Sequence, residues 1–221
     1  MSPIKPFYKA LILLGILLIP SLAYLIVSSG KNNYQRLEIY GPKEPVTDSP
    51  GDTLYHAIAP FQLISQDSAV FTDKNLEDKI YVADFFFATC QTICPKMSMQ
   101  MKRVQEAYKD DPEIILISHT VNPEKDTVNA LASYAVEYGA LKGKWFFLTG
   151  DKKEIYDLAR HSYFLAAMPG DGGPDDFIHS EKIVLVDKDK HIRGYYNGTD
   201  YEDVNLLIDE IKVLKWEYGK K

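Results

Sequence analysis

Apolar positions along the chain fall into three patterns. The first is Ala10–Val27, ALILLGILLIPSLAYLIV, an unbroken run without a charge. At about 1.5 Å per residue a helix of that length spans about 27 Å, close to the hydrocarbon thickness of a bilayer. Pro20 predicts a kink, which membrane helices tolerate better than soluble ones. The run continues through Tyr24-Leu25-Ile26-Val27, past the small-x-small site Ser21-Leu22-Ala23. That favours an uncleaved signal anchor over a cleaved signal peptide. The second pattern, Asn32 to Gly51, is polar with Pro42, Pro45 and Pro50. It predicts a tether with one short strand at Leu37–Tyr40.

The third pattern is an alternation of β-rich runs with helical periodicities. Strands are predicted at Ala59–Ile64, Ala69–Thr72, Ile80–Phe87, Ile114–Thr120, Trp145–Leu148, Lys182–Asp187 and Ile192–Tyr196. Two of them contain YVADFFF and IILIS, nearly continuous apolar runs suited to strands covered on both faces. Helices are predicted at Pro95–Tyr108, Asp126–Tyr138, Asp151–Tyr163 and Asp200–Trp216, with a hairpin turn at Val186–Lys190. Strands and helices in this order predict an α/β sandwich. The expected organisation is an anchor over 1–30, a tether over 31–58 and a domain over 59–221.

Composition agrees with a packed domain: 46% of residues are hydrophobic and 12% aromatic, which argues against disorder. The formal charge of −6, without a long basic run, sets nucleic-acid partners aside, because phosphate neutralisation dominates that affinity. Lys5 and Lys9 precede the apolar run, and Lys31 and Arg36 follow it, so the positive-inside count is nearly balanced. The short leading tail and the large domain that follows favour an inner-membrane anchor with the domain on the outer, periplasmic side.

Only two cysteines occur, Cys90 and Cys94, too few and too close for a disulfide-stapled scaffold. Cys90 follows an apolar strand and Cys94 opens a helix. That turn lies at the sheet edge where open α/β folds place their sites. A thiol at a helix N-terminus meets unpaired N–H groups, which favour the thiolate that attacks disulfides and binds soft metals. Two thiolates select Cu(I), and an imidazole would complete three-coordination. The histidines are His56, His119, His161, His179 and His191. His179 stands out, following the Gly- and Asp-rich stretch Pro169–Asp176 and directly preceding a predicted strand. Met97, Met99 and Met101 are soft donors too, but two of the three lie on the apolar helix face and read as core.

Four blocks carry a resemblance: Cys90-Gln-Thr-Ile-Cys94-Pro95, Thr120-Val-Asn-Pro-Glu-Lys-Asp-Thr127, Lys144-Trp-Phe-Phe-Leu-Thr-Gly-Asp151 and Asp176-Phe-Ile-His179-Ser180. In order, and behind an anchor, they resemble the Sco/SenC family of membrane-anchored copper proteins with a thioredoxin-like fold, over roughly 59–216. The resemblance implies that Cys90, Cys94 and His179 bind copper, as Cu(I) in the first instance and Cu(II) as the alternative. It also implies that Cys90 and Cys94 form a redox pair. The implied task is copper-site assembly in a membrane cytochrome oxidase, with that enzyme's copper-binding subunit as partner. A copper donor or a thiol-reductant protein would be a further partner. The alternative task is thiol–disulfide exchange that reduces the oxidase cysteines. Gln91-Thr92 stand where the family often carries Pro-Asp, and Phe86-Phe87-Ala88 where it often carries Gly-Tyr-Thr. Asp84, inside an apolar strand, resembles the buried aspartate of thioredoxin, which implies a proton acceptor for a thiol; the alternative is an aspartate that only hydrogen-bonds a neighbouring backbone group or tyrosine.

Overall fold

The computed structural model describes residues 6–28, 35–45, 53–165 and 180–219. The chain divides into two compact units, Met1–Gln35 and Arg36–Lys221. In the first, α1 (Pro6–Ser28) contains Phe7–Tyr24, a stretch long and apolar enough to cross a membrane, with Pro20 inside the helix.

The second unit is an α/β sandwich. Its central sheet contains β3 (Gln62–Ser65), β4 (Val70–Thr72), β5 (Ile80–Phe86), β6 (Ile114–Thr120), β7 (Trp145–Thr149), β8 (Lys182–Val186) and β9 (Ile192–Asn197), in the spatial order β4-β3-β7-β6-β5-β8-β9. The three central strands, β5, β6 and β7, are parallel. Their connections are α2 (Cys94–Ala107) and α3 (Val128–Tyr138); α4 (Lys152–Asp157) follows β7, and α5 (Tyr201–Tyr218) closes the chain. Side chains alternate across the pleat. Ile80, Val82 and Phe86 face one core with Met97, Val104, Leu131 and Leu207, whereas Tyr81, Ala83 and Phe85 face another with Ile155 and Tyr163. All seven residues of β5 and of β6 are buried, as expected for strands covered on both faces.

The predicted helices hold, with differences at their ends. Thr127 caps α3 by accepting the Ala130 N–H, so the helix starts after Asp126. The helix predicted over Asp151–Tyr163 is split, because α4 gives way to a π turn, Leu158–Ser162, which closes with Tyr163 N–H to Leu158 C=O. Leu37–Tyr40 is not a strand. Only Tyr40 forms a bridge, to Ile192, because the Leu37 and Glu38 carbonyls accept from the Arg193 guanidinium instead of a ladder. Strand pairing in this region belongs to an unpredicted two-stranded sheet, β1 (Lys43–Pro45) against β2 (Thr53–Tyr55). The hairpin turn between β8 and β9 is present, with Asp187 Oδ1 accepting from the Asp189 and His191 N–H groups.

Candidate metal centre

β5 ends at Phe86, and the chain turns through Phe87–Ile93 before α2 begins at Cys94. The turn closes with the Cys90 N–H donating to Phe87 C=O at 3.1 Å. It is braced from outside where Ala88 N–H donates to the Asp126 carboxyl at 3.0 Å. Pro95 in the first helical turn suits a position whose N–H would have no helical partner. Both cysteines are free and buried, Cys90 8% exposed and Cys94 2%.

The two thiols are unequal. Cys94 N–H points at the Cys90 sulfur, 3.4 Å away, and the Thr92 hydroxyl lies 3.6 Å from it. Burial pushes the Cys90 thiol up. The Cys94 thiol, the Cys94 and Thr92 N–H groups and the Thr92 hydroxyl outweigh burial, and bring it down to about 7. Cys94 goes the other way. Burial, and donation of its proton to Cys90, push it up to about 12 despite the Phe87 N–H. Cys90 is therefore the first of the two to ionise, while Cys94 keeps its proton. Two adjacent soft sulfurs fit copper as donors.

Beneath them, Asp84 is fully buried on the same sheet face. The strand register places it opposite Ser118, whose hydroxyl donates to Asp84 Oδ1 at 2.5 Å while accepting the Trp145 indole N–H at 2.9 Å. Burial raises Asp84 to about 7, against the Ser118 hydrogen bond. Its charge adds to what holds the Cys94 proton in place.

His179 lies outside the described residues. Ser180 is the first described residue after it, and its hydroxyl accepts the Lys182 N–H at 3.2 Å. β8 runs antiparallel to β5, with Ala83 opposite Val184, so β8 starts at the sheet edge where β5 ends and the cysteine turn begins. The other histidines are not brought to the cysteines. His119 is fully buried on the opposite sheet face, stacked on Phe85 at 4.7 Å. His56 sits 4.5 Å from the Phe164 ring. His191 joins Asp187 and Asp189 beyond the opposite end of β5, where Arg193 already neutralises Asp187. Met97 and Met101 are core and Met99 is exposed. Sequence reasoning missed Thr92 and Ser118 as partners of the site. A serine in the register position facing Asp84 was the available signal for the second.

Comparison with known proteins agrees with this fold. The SCO1/SenC family model matches residues 51–214. A curated SCO1 protein homolog from Bacillus subtilis is 32% identical over 163 residues, covering 73% of this chain and 84% of the relative. The chain spans about half the length of the mitochondrial SCO1 homologues from Arabidopsis thaliana, mouse and human that it matches. Among solved structures, one reporting a disulfide switch in BsSco, of the Sco family of cytochrome c oxidase assembly proteins, is 30% identical with a TM-score of 0.61, covering 71% of this chain and 92% of that one. Arabidopsis thaliana ScoI with copper bound is 29% identical with a TM-score of 0.58, covering 72% of this chain and 99% of that one. A thioredoxin-like α/β domain with its paired thiols at the strand-to-helix turn, matched by the family model across most of its length, belongs to the SCO1/SenC family.

Proposed function

We propose that the chain is a copper-binding factor for copper-site assembly in a membrane cytochrome oxidase, holding Cu(I) between Cys90, Cys94 and His179. The observation that carries this reading is the pair of free thiols at the start of α2, one of them poised near neutrality by its neighbours. Thiolates are the form that binds metal, so Cys90 is partly ionised near neutral pH and Cys94 releases its proton to solvent as the ion binds. His179 is three residues before β8, whose first residue lies at the cysteine edge of the sheet. The copper-bound relative supports copper as cargo, with Cu(II) as the alternative oxidation state. The partner in this reading is the oxidase subunit that holds the copper, and α1 tethers the domain to the outer side of the inner membrane.

Thiol–disulfide exchange is the second reading, favoured by the unequal thiols and by Asp84 beneath them. Cys90 thiolate would attack a disulfide of the partner, releasing one partner thiolate and forming a mixed disulfide. Asp84 would then take the Cys94 proton while Cys94 attacks Cys90, releasing the second partner thiolate. The Cys90–Cys94 pair ends oxidised and the partner's pair reduced. A dithiol reductant protein would restore the starting state.

Anaerobic Cu(I) titration of the detergent-solubilised full chain against a chelator tests the first reading. It predicts one ion per chain, with severe loss in Cys90→Ser, Cys94→Ser and His179→Ala. Binding unchanged in both cysteine variants would overturn it. Asp84→Asn separates the two readings, since it removes a proton acceptor but no metal ligand. If it slows disulfide exchange and spares oxidase assembly, copper delivery is the main task. If assembly is lost while copper binding persists, reduction is.

A further inference from the structure

The block Thr120–Thr127 is not used by the chemistry described so far, yet it holds a side chain with unusual partners. Asp126 is 1% exposed. Its Oδ2 accepts twice, from Ala88 N–H at 3.0 Å and from the Thr120 hydroxyl at 2.5 Å, while its buried Oδ1 has no partner. The Thr120 oxygen in turn accepts the Asn122 N–H at 3.0 Å. A buried oxygen with nothing to bond is unfavourable, so the group's contribution lies in what Oδ2 accepts. This carboxyl does not cap α3, because Thr127 has that role.

What the carboxyl supplies is an acceptor for the N–H two residues before Cys90. The segment between β5 and Cys90 is short, and Ala88 is its midpoint. Fixing Ala88 fixes the turn that closes from Cys90 N–H to Phe87 C=O. That turn sets the Cys90 sulfur 3.4 Å from the Cys94 N–H.

We propose that Asp126 is a positioning residue for the cysteine turn, holding Ala88 to the connection between β6 and α3 so that the Cys90 sulfur stays over the first turn of α2. This deepens the reading above and rests on its shared premise, that Cys90 is the reacting and ligating sulfur.

The test uses the full chain in detergent and two variants. Asp126→Leu removes the acceptor, and Asp126→Asn keeps one oxygen for Ala88. Three quantities are read: the rate of Cys90 attack on a small aromatic disulfide at pH 7, amide exchange at Ala88 and Cys90, and the melting temperature. Losing one buried hydrogen bond of this kind corresponds to about tenfold. Asp126→Leu is therefore expected to slow attack and to speed exchange at both amides by about that factor. Asp126→Asn restores both, whatever either variant does to melting. A folded Leu variant that attacks at the unsubstituted rate would overturn the proposal, as would an Asn variant equally impaired. If the Leu variant does not fold, the unsubstituted chain decides. An Ala88 amide exchanging like exposed loop amides overturns the proposal, and one protected about tenfold or more supports it. Failure of the unsubstituted chain to bind copper would remove the metal reading and leave these rates as they are.

Discussion

Cys90 and Cys94 are chemically identical groups made different by what points at them. Cys90 receives donors, whereas Cys94 is buried deeper and keeps its proton, donating it in a hydrogen bond to Cys90. Alkylation of Cys90 should therefore rise about tenfold per pH unit up to about pH 7 and level off above it, since only the thiolate reacts. Cys94 should stay unreactive across that range; equal alkylation of both at pH 7 would contradict the assignment. His119 offers a contrasting case. Both its ring nitrogens are buried without a hydrogen-bond partner, and burial lowers its pKa to about 3. The unfolded chain takes up this proton below about pH 6.5 and the folded chain does not, so its contribution to stability falls as pH falls, by about 1.4 kcal/mol per unit. His119→Phe, in contact with Phe85, should remove that slope in denaturant titrations between pH 6 and pH 4. A slope identical to that of the unsubstituted chain would show that His119 does not cause it. The cysteines were legible in the sequence because their spacing and their place between a strand and a helix are local features. The donors from Thr92, the Asp84–Ser118 pairing and the exclusion of His119 depend on register and face, which appear only once the strands are paired.

Among the elements, the long central strands and amphipathic helices could be read directly because burial on both faces leaves a continuous apolar run. The N-terminal part of the globular unit could not. Its backbone is organised by a side chain distant in sequence, Arg193, which is 6% exposed. The guanidinium pairs with Asp187 and Glu217 at 2.8 Å each and donates to the Leu37 and Glu38 carbonyls, while Glu217 accepts the Leu37 N–H. No hydrophobic pattern encodes such a clamp, which is why a strand was expected at Leu37–Tyr40. Removing one partner of a buried ion pair costs about 3–5 kcal/mol. Arg193→Met should therefore lower unfolding free energy by that order and speed amide exchange over residues 36–40. Unchanged exchange there would show that the segment is held by something else.

At the scale of the whole molecule, an apolar helix precedes a domain whose reactive edge is built from the turn after β5 and the start of α2, with β8 beginning at that edge. The apolar helix was legible from length and hydropathy, and the fold from the alternation of elements. The proposed ligand set rests on resemblance, since two sulfurs at this spacing fit redox and metal chemistry equally well. Copper-edge X-ray absorption of the Cu(I)-loaded full chain tests the central claim most directly. The account predicts an inner shell of two sulfurs and one imidazole nitrogen, with one sulfur lost in Cys90→Ser and the imidazole signature lost in His179→Ala. An inner shell without sulfur, or one unchanged in Cys90→Ser, would contradict it.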